Sequence, residues 1–124
     1  MESSGPQKQY FDSLAAGRLQ IQRCDACARH VFYPRMQCPH CGAARLSWVE
    51  PVGLGTVYSV TVFRRKPADG GDQGIVLVDL DEGVRMMSRV ENIDPAAVRI
   101  GMRVKARITQ HDGAPLVVFD PTGP

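Results

Sequence analysis

The sequence predicts a mainly β protein with three consecutive parts: an N-terminal helix, a rubredoxin-like zinc ribbon and a five-stranded OB-fold barrel. Two CxxC pairs lie in the first half of the chain at the spacing of a metal-binding ribbon. From residue 53 onward the pattern changes to short strands with period-two alternation, and a capped helical turn separates the third strand from the fourth. Five strands with a helical turn at that place indicate an OB-fold.

Size and charge limit the classes of function that the chain can have. It has 124 residues, which suits one small domain or a mini-domain joined to a larger one. No apolar run approaches the roughly 20 residues of a membrane-spanning helix, and no apolar signal segment opens the sequence, so we expect a protein of the reducing cytoplasm. Residues 1–50 carry six basic and four acidic side chains, whereas residues 51–124 carry nine of each. This balance disfavours a polyanion binder whose affinity rests on neutralising phosphates.

The N-terminal part is assigned to residues 7–19, with a helix over residues 7–16 that stops at Gly17. Tyr10, Phe11 and Leu14 are predicted to lie on one apolar stripe of that helix. A helix this short is marginal in isolation, so its stripe needs a packing partner. Either the protein's own body or another subunit could provide that partner.

The strongest motif is a pair of cysteine knuckles made by Cys24, Cys27, Cys38 and Cys41. Four thiolates brought together by such turns form the tetrahedral set that Zn²⁺ favours, and a closed set has no open position for a substrate, so we expect a structural metal. Iron also fits an all-sulfur site of this kind. Two disulfides or four free thiols are the alternative, and a reducing compartment disfavours stable disulfides.

The ribbon is assigned to residues 20–50, with a strand over residues 46–49 leading out of it. About thirty residues cannot bury enough apolar surface to fold unaided, so metal binding should supply the missing free energy. Gly42 follows the second knuckle, where a positive φ is expected. His30 and His40 lie near the cysteines, but four thiolates already complete the site, so we expect both histidines in exposed loops or beside the metal.

The OB-fold is assigned to residues 51–120, and a disordered tail to residues 121–124. Asp81-Glu82-Gly83 is predicted to turn the hairpin between the second and third strands, and Asp94 to cap a helical turn that begins with Pro95. Uninterrupted alternation in the first strand places Phe63 on the same face as Val57, and we expect Phe63 and Phe119 in the barrel core. The five strands are predicted over residues 55–63, 75–80, 84–90, 102–109 and 116–119.

A series of short motifs resembles one known family. The motifs occur in the order Phe11-Asp12-Ser13-Leu14, Gly17-Arg18-Leu19, Cys24-x-x-Cys27, Cys38-Pro39-His40-Cys41-Gly42, Gly55-Thr56-Val57-Tyr58-Ser59, Leu80-Asp81-Glu82-Gly83-Val84-Arg85 and Ile100-Gly101-Met102-Arg103-Val104. They extend over roughly residues 10–119 and resemble the zinc-ribbon/OB-fold family catalogued as domain of unknown function thirty-five. All four cysteines are retained here, although some members of that family have lost theirs.

The resemblance implies a small partner of acyl-CoA enzymes. Proteins of this family are similar in being encoded beside, or bound to, thiolase-superfamily proteins such as thiolases, acyl-CoA aldolases and hydroxymethylglutaryl-CoA synthases. Some are fused or paired with hydratase-fold subunits. In such assemblies the ribbon and the barrel serve as a scaffold and form part of the acyl-CoA site. The resemblance therefore implies an accessory subunit in lipid metabolism that shares a coenzyme A thioester with its partner.

The residues themselves predict no catalysis by the isolated chain. A thiolase-type reaction needs a cysteine thiolate that is free to attack, and all four cysteines are assigned to the metal. His30, His40 and His111 fall in knuckle or turn segments without an evident serine, cysteine or carboxylate partner. No glycine-rich phosphate loop follows a predicted strand.

The alternative function is single-stranded nucleic-acid binding by a ribbon/OB-fold module. OB-folds that bind single strands stack bases on aromatic side chains, typically from the second and third strands. Residues 75–90, which form those strands here, contain no aromatic residue. The neutral charge of the second half argues in the same direction, so this function ranks second.

Coenzyme A needs cations for its phosphates, and Arg64, Arg65 and Lys66 are the acyl-CoA-binding candidates. They follow the first barrel strand and could donate forked hydrogen bonds to a phosphate; a solvated strand end is the alternative. Two other basic sets, Arg85 with Arg89 and Arg103 with Lys105 and Arg107, each project from one face of a strand. We interpret Arg103, Lys105 and Arg107 as a solvated face that discourages edge pairing.

Overall fold

The computed structural model describes residues 5–69, 71 and 73–122. No helix in this part of the chain is both long and apolar enough to span a membrane. Besides two short 3-10 turns, the described residues form one α-helix and eight strands: α1 (Pro6–Ala15), β1 (Ile21–Cys24), β2 (His30–Val31), β3 (Leu46–Val49), β4 (Leu54–Phe63), β5 (Gln73–Leu80), β6 (Arg85–Ser88), β7 (Arg103–His111) and β8 (Ala114–Pro121). The chain is mainly β, as the sequence predicts.

The chain divides into two compact units. The first comprises Met1–Val52, Glu82–Val84 and Ile108–Val117, and the second comprises Gly53–Asp81, Arg85–Arg107 and Val118–Pro124. Each unit contains segments that are distant in sequence. The division into a helix over 7–19, a ribbon over 20–50 and a barrel over 51–120 stays a prediction.

Helix α1 has proline at its first position, where a missing N–H costs no hydrogen bond. It ends before Gly17, whose φ of 86° is accessible to glycine at little cost. Tyr10 and Leu14, one turn apart, are buried, and the Tyr10 ring packs edge-on against Phe32 at 5.4 Å between centroids. Phe11 is 45% exposed, so its predicted place on the buried stripe is wrong, because it lies about 100° around the helix from Tyr10.

The ribbon contains a three-stranded antiparallel sheet in the order β2-β1-β3. The central strand β1 buries Ile21, Gln22 and Cys24. Cys24 lies opposite Leu46 of β3, and the strand predicted over residues 46–49 is present with those bounds. The first knuckle therefore begins at the end of a buried, doubly paired strand.

The second sheet has the order β6-β5-β4-β7-β8. Val90, just after β6, forms a parallel bridge with Phe119 of β8. Around that bridge Phe119 N donates to Arg89 O at 3.0 Å, and Glu91 N donates to Phe119 O at 2.7 Å. These bonds join the two ends of the sheet into a nearly closed five-stranded barrel, which confirms the OB-fold.

The two predicted turns of the barrel are confirmed. The β5–β6 hairpin turns through residues 81–83, with Gly83 at a φ of 98°. The Asp94 side chain accepts a hydrogen bond from Ala96 N at 2.9 Å and caps a 3-10 turn over Pro95–Ala97. That turn lies between the third and fourth barrel strands, as the sequence predicts.

A β-bulge corrects the predicted faces of β4. Its pairing with β5 shifts register between Val57 and Ser59, so Tyr58 is the extra residue. Because one extra residue reverses the alternation, odd-numbered side chains point inward before the bulge and outward after it. Phe63 is consequently 47% exposed and lies outside the core, contrary to the prediction. Phe119 is fully buried, as predicted.

The end of the described chain also differs from expectation. The sequence predicts disorder from Pro121 onward, but Pro121 is the last residue of β8, and Thr122 N donates to Arg103 O at 3.1 Å. This pairing continues the sheet past the last apolar residue, which a hydropathy pattern does not reveal. Residues 123 and 124 lie outside the described residues.

Candidate metal centre

The two knuckles bring the four cysteine sulfurs together. The Sγ atoms of Cys24, Cys27, Cys38 and Cys41 all lie within 4.8 Å of one another. Cys24 Sγ is 3.6 Å from Cys41 Sγ, and Cys27 Sγ is 3.7 Å from Cys38 Sγ. Around a tetrahedral zinc ion with Zn–S bonds of about 2.3 Å, neighbouring sulfurs are ~3.8 Å apart. The site therefore has the dimensions of a four-thiolate zinc centre, and its cysteines are not joined as disulfides.

Both knuckles use the same local turn. In the first, Ala28 N donates to Cys24 O at 2.9 Å, and in the second, Gly42 N donates to Cys38 O at 2.8 Å. Backbone amides also point at sulfur: Cys27 N lies 3.5 Å from Cys24 Sγ, and His40 N lies 3.3 Å from Cys38 Sγ. Donors of this kind stabilise thiolates, the form that binds metal.

The first cysteine of each knuckle has a lowered pKa. The Cys27 amide is the largest cause for Cys24, and together with its other hydrogen bonds it lowers the pKa of that thiol to about 7 against the effect of burial. Burial is the largest single effect on Cys38, and it opposes ionisation. The amides of Cys41 and His40 and two neighbouring thiols outweigh it, and they lower the pKa of Cys38.

Cys41 shows the opposite behaviour. The Ala43 amide would lower the pKa of its thiol, but hydrogen bonds with Cys24 and the two other cysteines, together with burial, raise that pKa to about 11. Neighbouring thiolates disfavour a further negative charge unless a cation neutralises it. The donor set thus fits a divalent ion that prefers sulfur.

An apolar layer supports the sulfur cluster. Cys24 and Cys38 are buried with Val31, and Ala43 and Leu46 pack against them. The histidines lie outside the candidate ligand set, which in the described residues consists of the four cysteines. His40 Nδ1 lies 3.4 Å from an Arg29 nitrogen, and His30 lies in β2 opposite Arg23. His111 is exposed, 3.4 Å from the Asp112 carboxylate.

Two basic residues that we interpreted as a solvated face form ion pairs within the barrel. Arg103 donates two hydrogen bonds to Asp81, at 2.8 and 2.9 Å, and these lower the pKa of the Asp81 carboxyl. Arg107 bridges Asp120 and Glu91 at 2.7 and 2.8 Å. The sequence did not predict these pairs because each carboxylate lies outside β7, on another segment of the chain.

The third barrel strand and the segment after it show the same pairing. Arg85 donates to Asp79 across the hairpin, and its guanidinium lies 3.6 Å from the centre of the Tyr58 ring. Arg89 pairs with Glu91 at 2.8 Å. The only cue in the sequence is the spacing of Asp79 and Arg85 around the predicted hairpin.

The acyl-CoA candidates occupy one exposed segment. Arg64, Arg65 and Lys66 follow the last residue of β4 and precede a 3-10 turn over Pro67–Asp69. Their side chains are exposed. A role in binding acyl-CoA stays a prediction for these residues.

Sequence reasoning missed one residue of the ribbon, Gln22. Its side chain is buried in β1, where its amide nitrogen donates to Arg35 O at 2.8 Å and its amide oxygen accepts from Arg35 N at 2.7 Å. This pair of hydrogen bonds fixes the segment between the knuckles. The sequence gives no signal that singles it out, because Gln22 stands beside Arg23 in a strand of mixed polarity.

Fold and site together define a zinc-ribbon/OB-fold protein. Residues 11–47 match the family model described as "ChsH2, rubredoxin-like zinc ribbon domain", and residues 48–109 match "ChsH2, C-terminal OB-fold domain". The chain belongs to this ChsH2/DUF35 family, as the motif series in the sequence indicates.

Known relatives fall into two groups. The chain is 33% identical, over 90% of its length, to the 3-oxo-4,17-pregnadiene-20-carboxyl-CoA hydratase alpha subunit of Mycobacterium tuberculosis, of which it covers 36%. It is 32% identical, over 73% of its length, to a DUF35 domain-containing scaffold protein of Methanocaldococcus jannaschii, of which it covers 69%. The chain thus spans about a third of the length of the hydratase alpha subunits that it matches.

A solved structure matches the chain over almost its full length. It is titled "Ltp2-ChsH2(DUF35) aldolase", and one of its chains is 32% identical to this one. The similarity covers 99% of both chains with a TM-score of 0.84. The likeness therefore extends through both the ribbon and the barrel.

Proposed function

We propose that the chain is a non-catalytic, zinc-binding accessory subunit of a thiolase-superfamily enzyme that processes acyl-CoA. The observation that carries this proposal is the similarity, over 99% of both chains, to a chain of the Ltp2–ChsH2 aldolase. That solved assembly pairs a protein of this family with an aldolase. The partner of the present chain would be of the same kind: a thiolase, an acyl-CoA aldolase or a hydroxymethylglutaryl-CoA synthase.

The names of the relatives support an accessory role. Three archaeal relatives are named scaffold proteins, and two bacterial relatives are named hydratase alpha subunits. A hydratase-fold subunit is therefore a second partner that we propose. The hydratase subunits are about three times as long as the matched region, so their own reaction belongs to a larger protein.

The chemistry of the cysteines supports a non-catalytic role. All four converge on one cluster, whereas a thiolase-type nucleophile must be free to attack a thioester. A thiolate bound to zinc has its lone pairs engaged by the metal. We therefore propose that the reacting groups come from the partner and that this chain shapes the complex.

We propose that Cys24, Cys27, Cys38 and Cys41 hold one structural Zn²⁺. The sulfur separations fit a tetrahedral site, and four thiolates leave no coordination position for substrate. Zinc would neutralise the thiolates and supply folding free energy to the ribbon. Iron could take the same place in an all-sulfur site. Reduced thiols suit the cytoplasm, which is the compartment that we propose.

We propose that Arg64, Arg65 and Lys66 contact the phosphates of a coenzyme A thioester held jointly with the partner. Their consecutive exposed cations support this role, because guanidinium groups donate forked hydrogen bonds to phosphate. An apolar channel for pantetheine would come from the partner. Acyl-CoA should then bind the complex more tightly than it binds this chain alone.

The proposal is tested by co-expression with the thiolase-superfamily protein encoded nearest to this chain, and with Ltp2 as a second probe. A stable complex by size-exclusion chromatography is expected with at least one of them. Titration of that complex with an acyl-CoA and with a single-stranded oligonucleotide then separates the two candidate functions. Tight binding of the oligonucleotide by a chain that forms no complex would favour the nucleic-acid module instead.

The same titration tests the basic segment. Replacing Arg64, Arg65 and Lys66 with alanine should weaken acyl-CoA binding. We expect a loss of about 1–3 kcal/mol for each forked phosphate contact that the substitutions remove. Lys105→Ala is the matched control, because this exposed lysine lies on β7 and has no proposed ligand role. Equal affinities of the wild type and the triple variant would remove the segment from the acyl-CoA site.

A further inference from the structure

The segment over residues 33–37, which we name the inter-knuckle loop, is held by a buried side chain. Both polar atoms of the Gln22 amide bond the backbone of Arg35, at 2.7 and 2.8 Å. Burying an amide destabilises the fold unless its N–H and C=O groups form hydrogen bonds. In this structure the backbone of Arg35 provides those bonds, so they favour the observed loop conformation. The loop is therefore preorganised, although most of its own side chains point outward.

This rigid loop presents apolar groups to solvent. Met36 is 76% exposed, and Tyr33 is 40% exposed. Tyr33 belongs to an aromatic cluster: its ring centre lies 5.5 Å from that of Phe32 and 6.4 Å from that of Tyr10. The Phe11 ring centre lies 5.1 Å from that of Tyr10. Phe11 and Tyr33 thus expose apolar surface next to the buried Tyr10 ring, and Met36 exposes more of it three residues after Tyr33 in the same loop. Surfaces of this kind mark interaction sites more often than single exposed side chains do.

The charge beside Met36 indicates the chemistry of a partner. Residues 20–50 contain two carboxylates, and both are engaged elsewhere: Asp25 accepts from Ser47 Oγ at 2.9 Å, and Glu50 pairs with Arg18 at 2.8 Å. Within the described residues, the Arg35 guanidinium has no carboxylate at ion-pair distance. By contrast, Arg103 and several other barrel arginines are paired with carboxylates of the barrel. The ribbon thus leaves a cation beside its most exposed apolar side chain.

We propose that the inter-knuckle loop is the point at which the ribbon docks on its partner enzyme. Met36 enters an apolar socket of the partner, and Arg35 pairs with a carboxylate at the rim of that socket. An open depression of about 570 Å³ beside the loop, lined by Arg35, Met36, Gln37 and Ala44, gives room for a partner side chain. This inference rests on the proposed function, because it names the surface by which the accessory subunit binds.

The test measures affinity for the two probes already chosen, the nearest-encoded thiolase-superfamily protein and Ltp2. Met36→Asp should weaken binding at least about tenfold, because it places a charge in a desolvated socket. Met36→Leu should keep the affinity within about twofold. Met87→Asp is the matched control: Met87 is 67% exposed on β6, outside the ribbon, and its substitution should leave binding unchanged.

Arg35→Glu provides a second variant that keeps the Gln22 bonds, since those bonds use only the backbone of residue 35. It should weaken binding about tenfold and reverse the salt dependence of association. Zinc content and far-UV circular dichroism confirm that each variant is folded. If Met36→Asp does not fold, Arg35→Glu decides the question.

Each outcome separates the docking surface from the proposed function. If the wild type binds a probe and both ribbon variants bind it equally well, the loop is not the docking point, while the accessory role stands. The same conclusion follows if Met87→Asp is the variant that loses affinity, because docking would then use the outer face of the barrel. If the wild type binds neither probe, the accessory role fails and the docking inference fails with it.

Discussion

Ala28 and Gly42 occupy the same position in the two knuckles. Each follows the second cysteine of its pair, each donates its N–H to the carbonyl of the first cysteine, and their φ angles are 67° and 82°. Only one of the two is glycine, so the first knuckle carries a left-handed alanine. That conformation costs a residue with a Cβ roughly 1–2 kcal/mol.

Ala28→Gly is therefore expected to stabilise the zinc-loaded protein by up to about 1 kcal/mol, because the strain relieved exceeds the chain entropy added. Gly42→Ala should destabilise it by a similar amount or more. Urea denaturation at fixed zinc activity measures both. A less stable Ala28→Gly variant would show that the left-handed alanine is not strained.

Gly55 lies where a side chain cannot fit. A Cβ at this position would lie 2.7 Å from Val78 Cγ1 and 2.8 Å from Asp79 O in the paired strand β5. Gly55→Ala should therefore destabilise the barrel by about 1–3 kcal/mol. Gly74→Ala is the control, since its Cβ would meet nothing closer than 3.6 Å and its φ is not positive. Equal melting temperatures for the two variants would contradict this explanation.

The Arg107 cluster predicts an acid-sensitive contribution to stability. Arg107 donates to Glu91 and Asp120, and these bonds are the largest cause of the lowered pKa of both carboxyls. Their folded pKa values lie below the ordinary 4.5 and 3.8, so the contribution is present above pH ~5 and is lost as pH falls through the lowered values. The wild type should lose more stability than Arg107→Met between pH 6 and pH 3.

Urea midpoints of both proteins across that range measure the difference. Protonation of the cysteines affects both proteins equally and cancels in the comparison. At neutral pH the substitution should lower the melting temperature by a few degrees. If the urea midpoints of wild type and variant change with pH in parallel, the ionisation of these two carboxyls makes no contribution to stability through Arg107.

The cysteine cluster, the helix and the order of the barrel strands along the chain could be predicted from the sequence because each depends on local spacing. Two CxxC pairs fix a knuckle wherever they occur, and Asp94-Pro95 marks a turn by its own capping chemistry. Phe63 was misplaced because the bulge at Tyr58 is decided by pairing with β5, not by the residues of β4 alone. The alternation of apolar and polar residues in the sequence does not show where an extra residue is inserted into a strand.

Most interactions that the sequence did not predict join residues distant along the chain, although Arg89 and Glu91 are only two residues apart. Gln22 bonds Arg35, and Arg107 bonds Asp120 and Glu91. Whether such a polar side chain is buried or solvated depends on which strand lies beside it. Arg85 and the three basic residues of β7 lie on strands, as the sequence predicts, whereas Arg89 lies just after β6 and not on it. The carboxylate partners of the arginines are identified only by the three-dimensional structure.

Removing one proposed zinc ligand should unfold the ribbon alone. Cys38→Ser should lose zinc and the protection of β1–β3 amides, whereas the barrel amides should stay protected, because the barrel has its own core of Val57, Val78 and Phe119. Elemental analysis and amide hydrogen exchange measure the two effects. His40→Ala, in the same knuckle, should keep one zinc per chain. Wild type purified without chelator and containing neither zinc nor iron would contradict the metal assignment.

The central claim is that this chain assists a partner's chemistry without catalysing it. The most direct measurement is steady-state turnover of an acyl-CoA by the nearest-encoded thiolase-superfamily protein, with and without this chain, alongside the chain alone. We expect no thiolytic, aldol-cleaving or thioester-hydrolysing turnover by the isolated chain, and faster turnover by the partner when the chain is added. Robust turnover by the isolated chain, after contaminating enzymes have been removed, would contradict the claim.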